Sequence, residues 1–173
     1  GRPFPVTDAG IEYLRDELPA LEPAPTVLCW SDPRIGNMIF ADDGRCTGVL
    51  DWELASLAPA ALDLGWWCVM EEFQTLAHGI TPLPGWPDRD ATIAHYETIT
   101  STRLPDLLWY EVLAAWVLTV TVIRMADIGV ARGTLAPTTG MGHGNLTAQM
   151  VARRLGLPVP ALDPDYARRR GLA

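Results

Sequence analysis

At 173 residues, about half of them hydrophobic, the chain is long enough to fold as one domain with a sizeable core. Its formal net charge of −8 argues against a nucleic-acid-binding face, which needs clustered cations, and the one basic run, Arg168-Arg169-Arg170, reads as a solvated, frayed terminus. The longest apolar helical candidate, Leu104 to Ile128, is free of charge only from Val112 to Ile123, too short to cross a bilayer, so no membrane segment is expected.

A single domain over residues 1–173 is the expectation. The sequence opens at Gly1 without the basic, apolar and small-residue series of a secretory signal, which reads as a cytoplasmic chain or a piece of one. Cys29, Cys46 and Cys68 are odd in number and not closely paired, which suits reduced thiols better than disulfides or a zinc site.

In chain order, the spacing of Ile11, Leu14 and Leu18 predicts a helix from Thr7 or Asp8 to Leu18, with Pro19 beyond it. Leu21 to Pro25 is a proline-rich connector, and Thr26 to Trp30 reads as a short buried strand that delivers the chain to Asp32. Met38-Ile39-Phe40 and Thr47 to Leu50 flank Asp42-Asp43-Gly44-Arg45, a strand-turn-strand pattern in which Asp-Gly supplies the turn. Such a hairpin sets Asn37 and Asp51 at its open end, close in space although distant in sequence.

Helical spacing returns from about Ala60 to Ala77, where Leu62, Trp66, Val69, Met70 and Phe73 share a face. His78 to Asp90 reads as a loop, followed by helices over Ala91 to Thr100 and Leu104 to Ala131. Gly133 to Gly144 is a second loop, and Asn145 to Leu155 a last helix stopped by Gly156 and Pro158. The class is therefore α+β, mainly helical, with a small β-hairpin near its start.

The chemistry concentrates around that hairpin. Trp30-Ser31-Asp32-Pro33-Arg34-Ile35-Gly36-Asn37 places Asp-x-x-x-x-Asn after a buried strand, and the hairpin returns to Asp51-Trp52-Glu53. Phosphoryl transfer needs a carboxylate to orient and deprotonate the attacking hydroxyl, and oxygen ligands for Mg²⁺ on the nucleotide phosphates. An Asp before Pro is by itself a common loop starter, so the combination with the hairpin carries the inference. The same carboxylates, Asp32, Asp51 and Glu53, also allow a metal-dependent hydrolase, although histidine partners are lacking.

These segments resemble the aminoglycoside phosphotransferase and choline kinase group, whose catalytic loop reads His-Gly-Asp-x-x-x-x-Asn and whose metal segment reads Asp-Trp-Glu or similar. The resemblance extends over Arg34 to Phe40, Gly48 to Ala55 and Leu62 to Trp67. It implies a protein-kinase-like C-terminal lobe, with Asp32 as catalytic base and Asn37 and Asp51 binding the nucleotide's Mg²⁺. Glu53 is implied as a lesser metal ligand, and Asp63 as a brace of the catalytic loop that does not touch substrate. ATP or another nucleoside triphosphate and Mg²⁺ are the implied cofactors, and a small-molecule hydroxyl compound the implied acceptor.

The chain departs from the group in two places: Trp30-Ser31 stands for His-Gly, and Ala58-Pro59 stands where Gly-Asp is frequent, an expected shift in a turn. All thirteen of its basic Lys and Arg residues are arginine. A complete kinase of this type holds the phosphates with a lysine of its N-terminal lobe, so that lobe is expected outside this chain. The alternative is a non-catalytic kinase-like binding module or an inactive truncated chain, and a homodimer is left open. His78, His95 and His143 lack metal-ligand spacing, and Gly140 to Gly144 lacks the strand and Lys-Ser/Thr of a phosphate loop. Trp86, Trp109 and Trp116 are candidates for an acceptor pocket or for ordinary core.

Overall fold

Proline decides where the first helix starts. In the computed structural model, which describes residues 3–18, 23–75 and 78–172, α1 spans Pro5–Glu17. Pro5 occupies the first turn, where its missing N–H costs nothing, so the helix begins before the Thr7 suggested by apolar spacing. Pro19, Leu21 and Ala77 of the expected elements lie outside the described residues.

The chain groups into two compact units, Gly1–Leu21 with Val112–Ala173 and Glu22–Glu111. In the second, β1 (Thr26–Cys29) and two short strands, β2 (Met38–Phe40) and β3 (Cys46–Val49), precede β4 (Ser56–Pro59). β2 and β3 pair antiparallel from Met38 opposite Val49, the hairpin expected, with Gly44 at φ 81° in its turn. β4 was not expected: Ala58-Pro59, read as a turn, pairs with β1, Pro59 opposite Thr26 and Ser56 opposite Cys29. Proline is tolerated there because it ends a two-stranded ribbon. β1 is also less buried than its large side chains suggest, since Cys29 is buried while Leu28 is 65% exposed.

Three helices complete this unit's frame. α2 (Ala61–Gln74) buries Val69 and Met70, and its Gly65 lets Tyr110 approach: a Cβ there would lie 2.7 Å from Tyr110 Cβ. α3 (Arg89–Thr100) starts two residues before the expected Ala91, because the Asp88 carboxylate caps the Ala91 N–H at 2.8 Å. α4 (Leu108–Ala131) begins after Pro105 rather than at Leu104, and its first turn belongs to this unit. Buried Glu111 on that turn accepts from Arg89, whose guanidinium burial disfavours but the Glu111 bond and charge hold above its ordinary range.

By length and composition alone α4 is long and apolar enough to cross a membrane, a test that the core helix of a soluble protein also passes. It also carries a buried stripe of Val112, Ala115, Thr119, Val122 and Ala126 at helical spacing. In the same unit as most of α4, α5 (Leu146–Arg154) starts at Asn145, whose side chain accepts from Ala148 N, and buries Met150 and Val151. The Arg168–Arg170 tail is not frayed. Asp163 caps α6 (Pro164–Arg169), Tyr166 is fully buried, and Arg169 Nη2 donates to Thr134 O at 2.8 Å.

Candidate active site

The site is built on the end of β1, where the chain must turn sharply. Asp63, in the first turn of α2, accepts from Trp30 N–H at 2.7 Å and from Ser31 N–H at 2.8 Å, one on each carboxylate oxygen. These charge-assisted bonds hold Ser31 at φ 68°, a left-handed conformation that costs a non-glycine residue about 1–2 kcal/mol. Ser31 Oγ and Ser56 Oγ, 2.9 Å apart, tie the same corner to β4. The geometry thus sets the next side chain, Asp32, by two anchors that precede it.

The Asp32 carboxylate, 16% exposed, accepts three side-chain hydrogen bonds. Arg34 Nε at 3.1 Å and Asn37 Nδ2 at 2.8 Å reach Oδ2, and the Trp66 indole N–H reaches Oδ1 at 3.0 Å. A carboxylate offers about four lone-pair directions, so one remains on Oδ1 for a further donor such as a hydroxyl. Asn37 is buried and also gives Nδ2 to Asp32 O at 3.2 Å, which leaves Oδ1 as its outward-acting atom. A single 3₁₀ turn, Ile35–Asn37, holds that residue at the mouth of the hairpin.

Asp51 arrives from the opposite strand. Leu50 N–H donates to Asn37 O at 2.8 Å, so Asp51 is one residue from direct backbone pairing with Asn37. Asp51 is exposed and has φ 62°, and the buried Trp30 indole bonds Leu50 O at 2.8 Å and Asp51 O at 3.2 Å. Strained non-glycine residues persist only where surrounding contacts hold them, and Trp30 supplies that restraint here. Glu53, also exposed, lies two residues further on.

Asp32 and Asn37 are therefore in contact, the hairpin pairs Leu50, the residue before Asp51, with the Asn37 backbone, and Asp63 lies behind the loop on its backbone amides. Among the described residues no three His, Cys, Asp or Glu side chains form a metal cluster. Asn37 Oδ1 and the exposed Asp51 carboxylate are hard oxygen donors of the kind that suit Mg²⁺. Burial, and then the Asp63 charge, raise the pKa of the neighbouring Cys29 thiol.

Sequence reasoning missed four contributors. Trp66 falls on an apolar helical face in the sequence and Trp30 stands where the family has histidine, yet both indole N–H groups hold the site. Arg34 and Ser31 carry no role in the sequence motif, yet Arg34 donates to Asp32 and the Ser31 amide is held by Asp63. Only the Leu62-to-Trp66 helical spacing pointed to Trp66, and nothing in it distinguishes a hydrogen-bonding indole from a packed one.

A family model described as a phosphotransferase enzyme family matches residues 2–103, which include every residue of this site. Among solved structures, a crystal structure from Ralstonia eutropha, provisionally assigned as an aminoglycoside phosphotransferase, is similar to the chain with a TM-score of 0.61 at 20% identity. The similarity covers 90% of this chain and 50% of the other, so this chain spans about half that relative's length. At that identity the likeness speaks for the fold alone: kinase-like and helix-rich, with small β ribbons.

Proposed function

This chain belongs to the phosphotransferase enzyme family, and from that premise we propose that it is the acceptor-binding lobe of an ATP- and Mg²⁺-dependent kinase of small hydroxyl compounds. The observation that carries the reading is the 2.8 Å bond from Asn37 to the Asp32 carboxylate, made at the hairpin mouth where Asp51 returns. It joins a proton acceptor to a metal-ligand pair, the two parts that phosphoryl transfer needs.

Asp32 Oδ1, with its remaining lone pair, receives the acceptor hydroxyl and aims its oxygen. Trp66 and Asn37 fix the carboxylate so that little reorganisation accompanies the reaction, which is where positioned groups gain most. The acceptor O–H bond gives its proton to Asp32 as the oxygen bonds the γ-phosphorus, and the bond from that phosphorus to the leaving diphosphate breaks. Bound Mg²⁺ supplies charge neutralisation on the phosphates, with Asn37 Oδ1 and Asp51 as its protein ligands and Glu53 as a lesser one. Asp63 acts only through the loop backbone. The nucleotide's other wall is a preceding lobe with a phosphate-binding lysine, and the reduced state of Cys29, Cys46 and Cys68 suits a cytoplasmic setting.

The whole encoded protein, supplied with ATP, Mg²⁺ and a panel of alcohols, sugars and amino alcohols, is expected to release ADP only with a suitable acceptor, and Asp32→Asn is expected to abolish this. Unchanged turnover in that variant contradicts the assignment. The absence of lysine favours a second reading, a kinase-like module that binds without catalysis. That reading gains if the preceding polypeptide also offers no strand-borne lysine and no acceptor releases ADP.

A further inference from the structure

Between α2 and α3 lies a cleft of about 370 Å³ whose wall joins two parts of the chain that Asp63 holds together. Buried Pro33 comes from the loop that carries Asp32, while Asp63, Leu64 and Trp67 come from α2 and Tyr96 and Ile99 from α3. The volume falls in the range of small-molecule sites. The cleft stands apart from the reactive carboxylate, since none of Arg34, Asn37 and Trp66, the side chains that hold Asp32, lines it. Its polar edge is His95, Thr92 and Thr100, and the two threonine hydroxyls donate to Asp88 O and Tyr96 O, each at 2.8 Å. With their hydrogens spent, the threonine oxygens offer only lone pairs and can accept a further hydrogen bond but not donate one.

We propose that this cleft is an effector site behind the loop, which takes an uncharged aromatic compound bearing one hydrogen-bond donor, a phenol being the simplest, and steadies the loop when filled. The aromatic body leaves water for Pro33, Leu64, Trp67 and Tyr96, and the hydroxyl donates to a threonine oxygen. A charged group entering the same wall sheds hydration that apolar side chains do not replace. Coupling to the loop follows from the make-up of the wall. When the bonds from Asp63 to the Trp30 and Ser31 amides open, Pro33, two residues beyond Ser31, is freed from α2 and the cleft loses one side. A ligand that needs both sides binds only the closed loop and draws the equilibrium toward it by mass action. Asp32 lies between Ser31 and Pro33, so occupancy of the cleft acts on the reactive carboxylate through the backbone, without touching it.

The test is calorimetric titration of the whole encoded protein with 4-propylphenol, 4-propylanisole and 4-propylbenzoate, paired with amide hydrogen exchange at Trp30 and Ser31 followed by NMR. The phenol is expected to bind about fivefold tighter than its ether, which lacks the donor, and about tenfold or more tighter than the charged benzoate. With free phenol at about ten times its Kd, exchange at both amides is expected to slow about tenfold. Ile99 is 68% exposed, so Ile99→Glu keeps the fold, and it is expected to weaken the phenol about tenfold and to return the exchange toward its unliganded rate. Absence of phenol binding, equal affinity for the three compounds, or affinity indifferent to Ile99→Glu overturns the site. Binding that leaves the two amides exchanging as before overturns its coupling to the loop. Neither measurement involves ATP, so either outcome stands apart from the phosphoryl-transfer reading of Asp32.

Discussion

Replacing Asp63 by alanine removes the two hydrogen bonds that turn the chain into the site, from Trp30 N–H at 2.7 Å and Ser31 N–H at 2.8 Å. Bonds to a charged acceptor are worth about 1.5–3 kcal/mol each. The loss is partly offset because Ser31, freed from φ 68°, recovers about 1–2 kcal/mol of left-handed strain. The net expectation is a destabilisation of about 1–5 kcal/mol. Asp63→Asn keeps one acceptor but turns an NH₂ toward the other amide, so most of the loss is expected to remain. Urea-unfolding midpoints at constant slope measure both. Ser31→Gly in the Asp63→Ala background separates the terms, since glycine bears no left-handed penalty and the residual cost is then that of the bonds alone. A loss below about 0.5 kcal/mol in Asp63→Ala, within the range of ordinary surface changes, refutes the clamp.

Trp30→Phe keeps the ring but removes the donor to Leu50 O and Asp51 O, and is expected to cost about 1–2 kcal/mol in urea unfolding and to raise KM for Mg-ATP in the whole protein. Tyr166→Ala, which empties a fully buried site, is expected to cost about 3–5 kcal/mol and to speed tryptic cleavage at Arg168–Arg170; unaltered cleavage restores the frayed-tail reading. Burial raises the Glu71 carboxyl above its ordinary 4.5, against the opposing Trp86 hydrogen bond. The folded state therefore holds that proton more tightly, so stability falls as pH climbs from 4.5 through the raised folded value and is level above it. Glu71→Gln retains an acceptor for Trp86 and is expected to lose that slope, with a gain in Tm above the transition and none below 4.5.

The hairpin was legible because Asp43-Gly44 between two apolar runs is a local signal, and its location implied that Asn37 and Asp51 meet. The helix over Leu146–Arg154 was equally plain, since Asn145 caps it and Gly156 stops it. β4 was not legible: Ser56–Pro59 has neither alternation nor β-branched residues, and it is a strand because β1 lies alongside it. The C-terminal helix was masked by its arginine run, although Asp163-Pro164, a cap and a first-turn proline, stood in the sequence. Least legible were the left-handed conformations of Ser31 and Asp51, which no residue type announces and which only Asp63 and Trp30, distant in sequence, make tolerable.

The central claim, that Asn37 and Asp51 share a nucleotide-bound divalent cation beside Asp32, is most directly tested with Mn²⁺ in place of Mg²⁺. With Mn-ATP bound to the whole encoded protein, the side-chain amide resonances of Asn37 and the indole resonance of Trp66 are expected to broaden severely. Asp51→Asn is expected to reverse most of that broadening at the same Mn-ATP concentration. Sharp Asn37 signals under saturating Mn-ATP, or broadening indifferent to Asp51→Asn, contradict it.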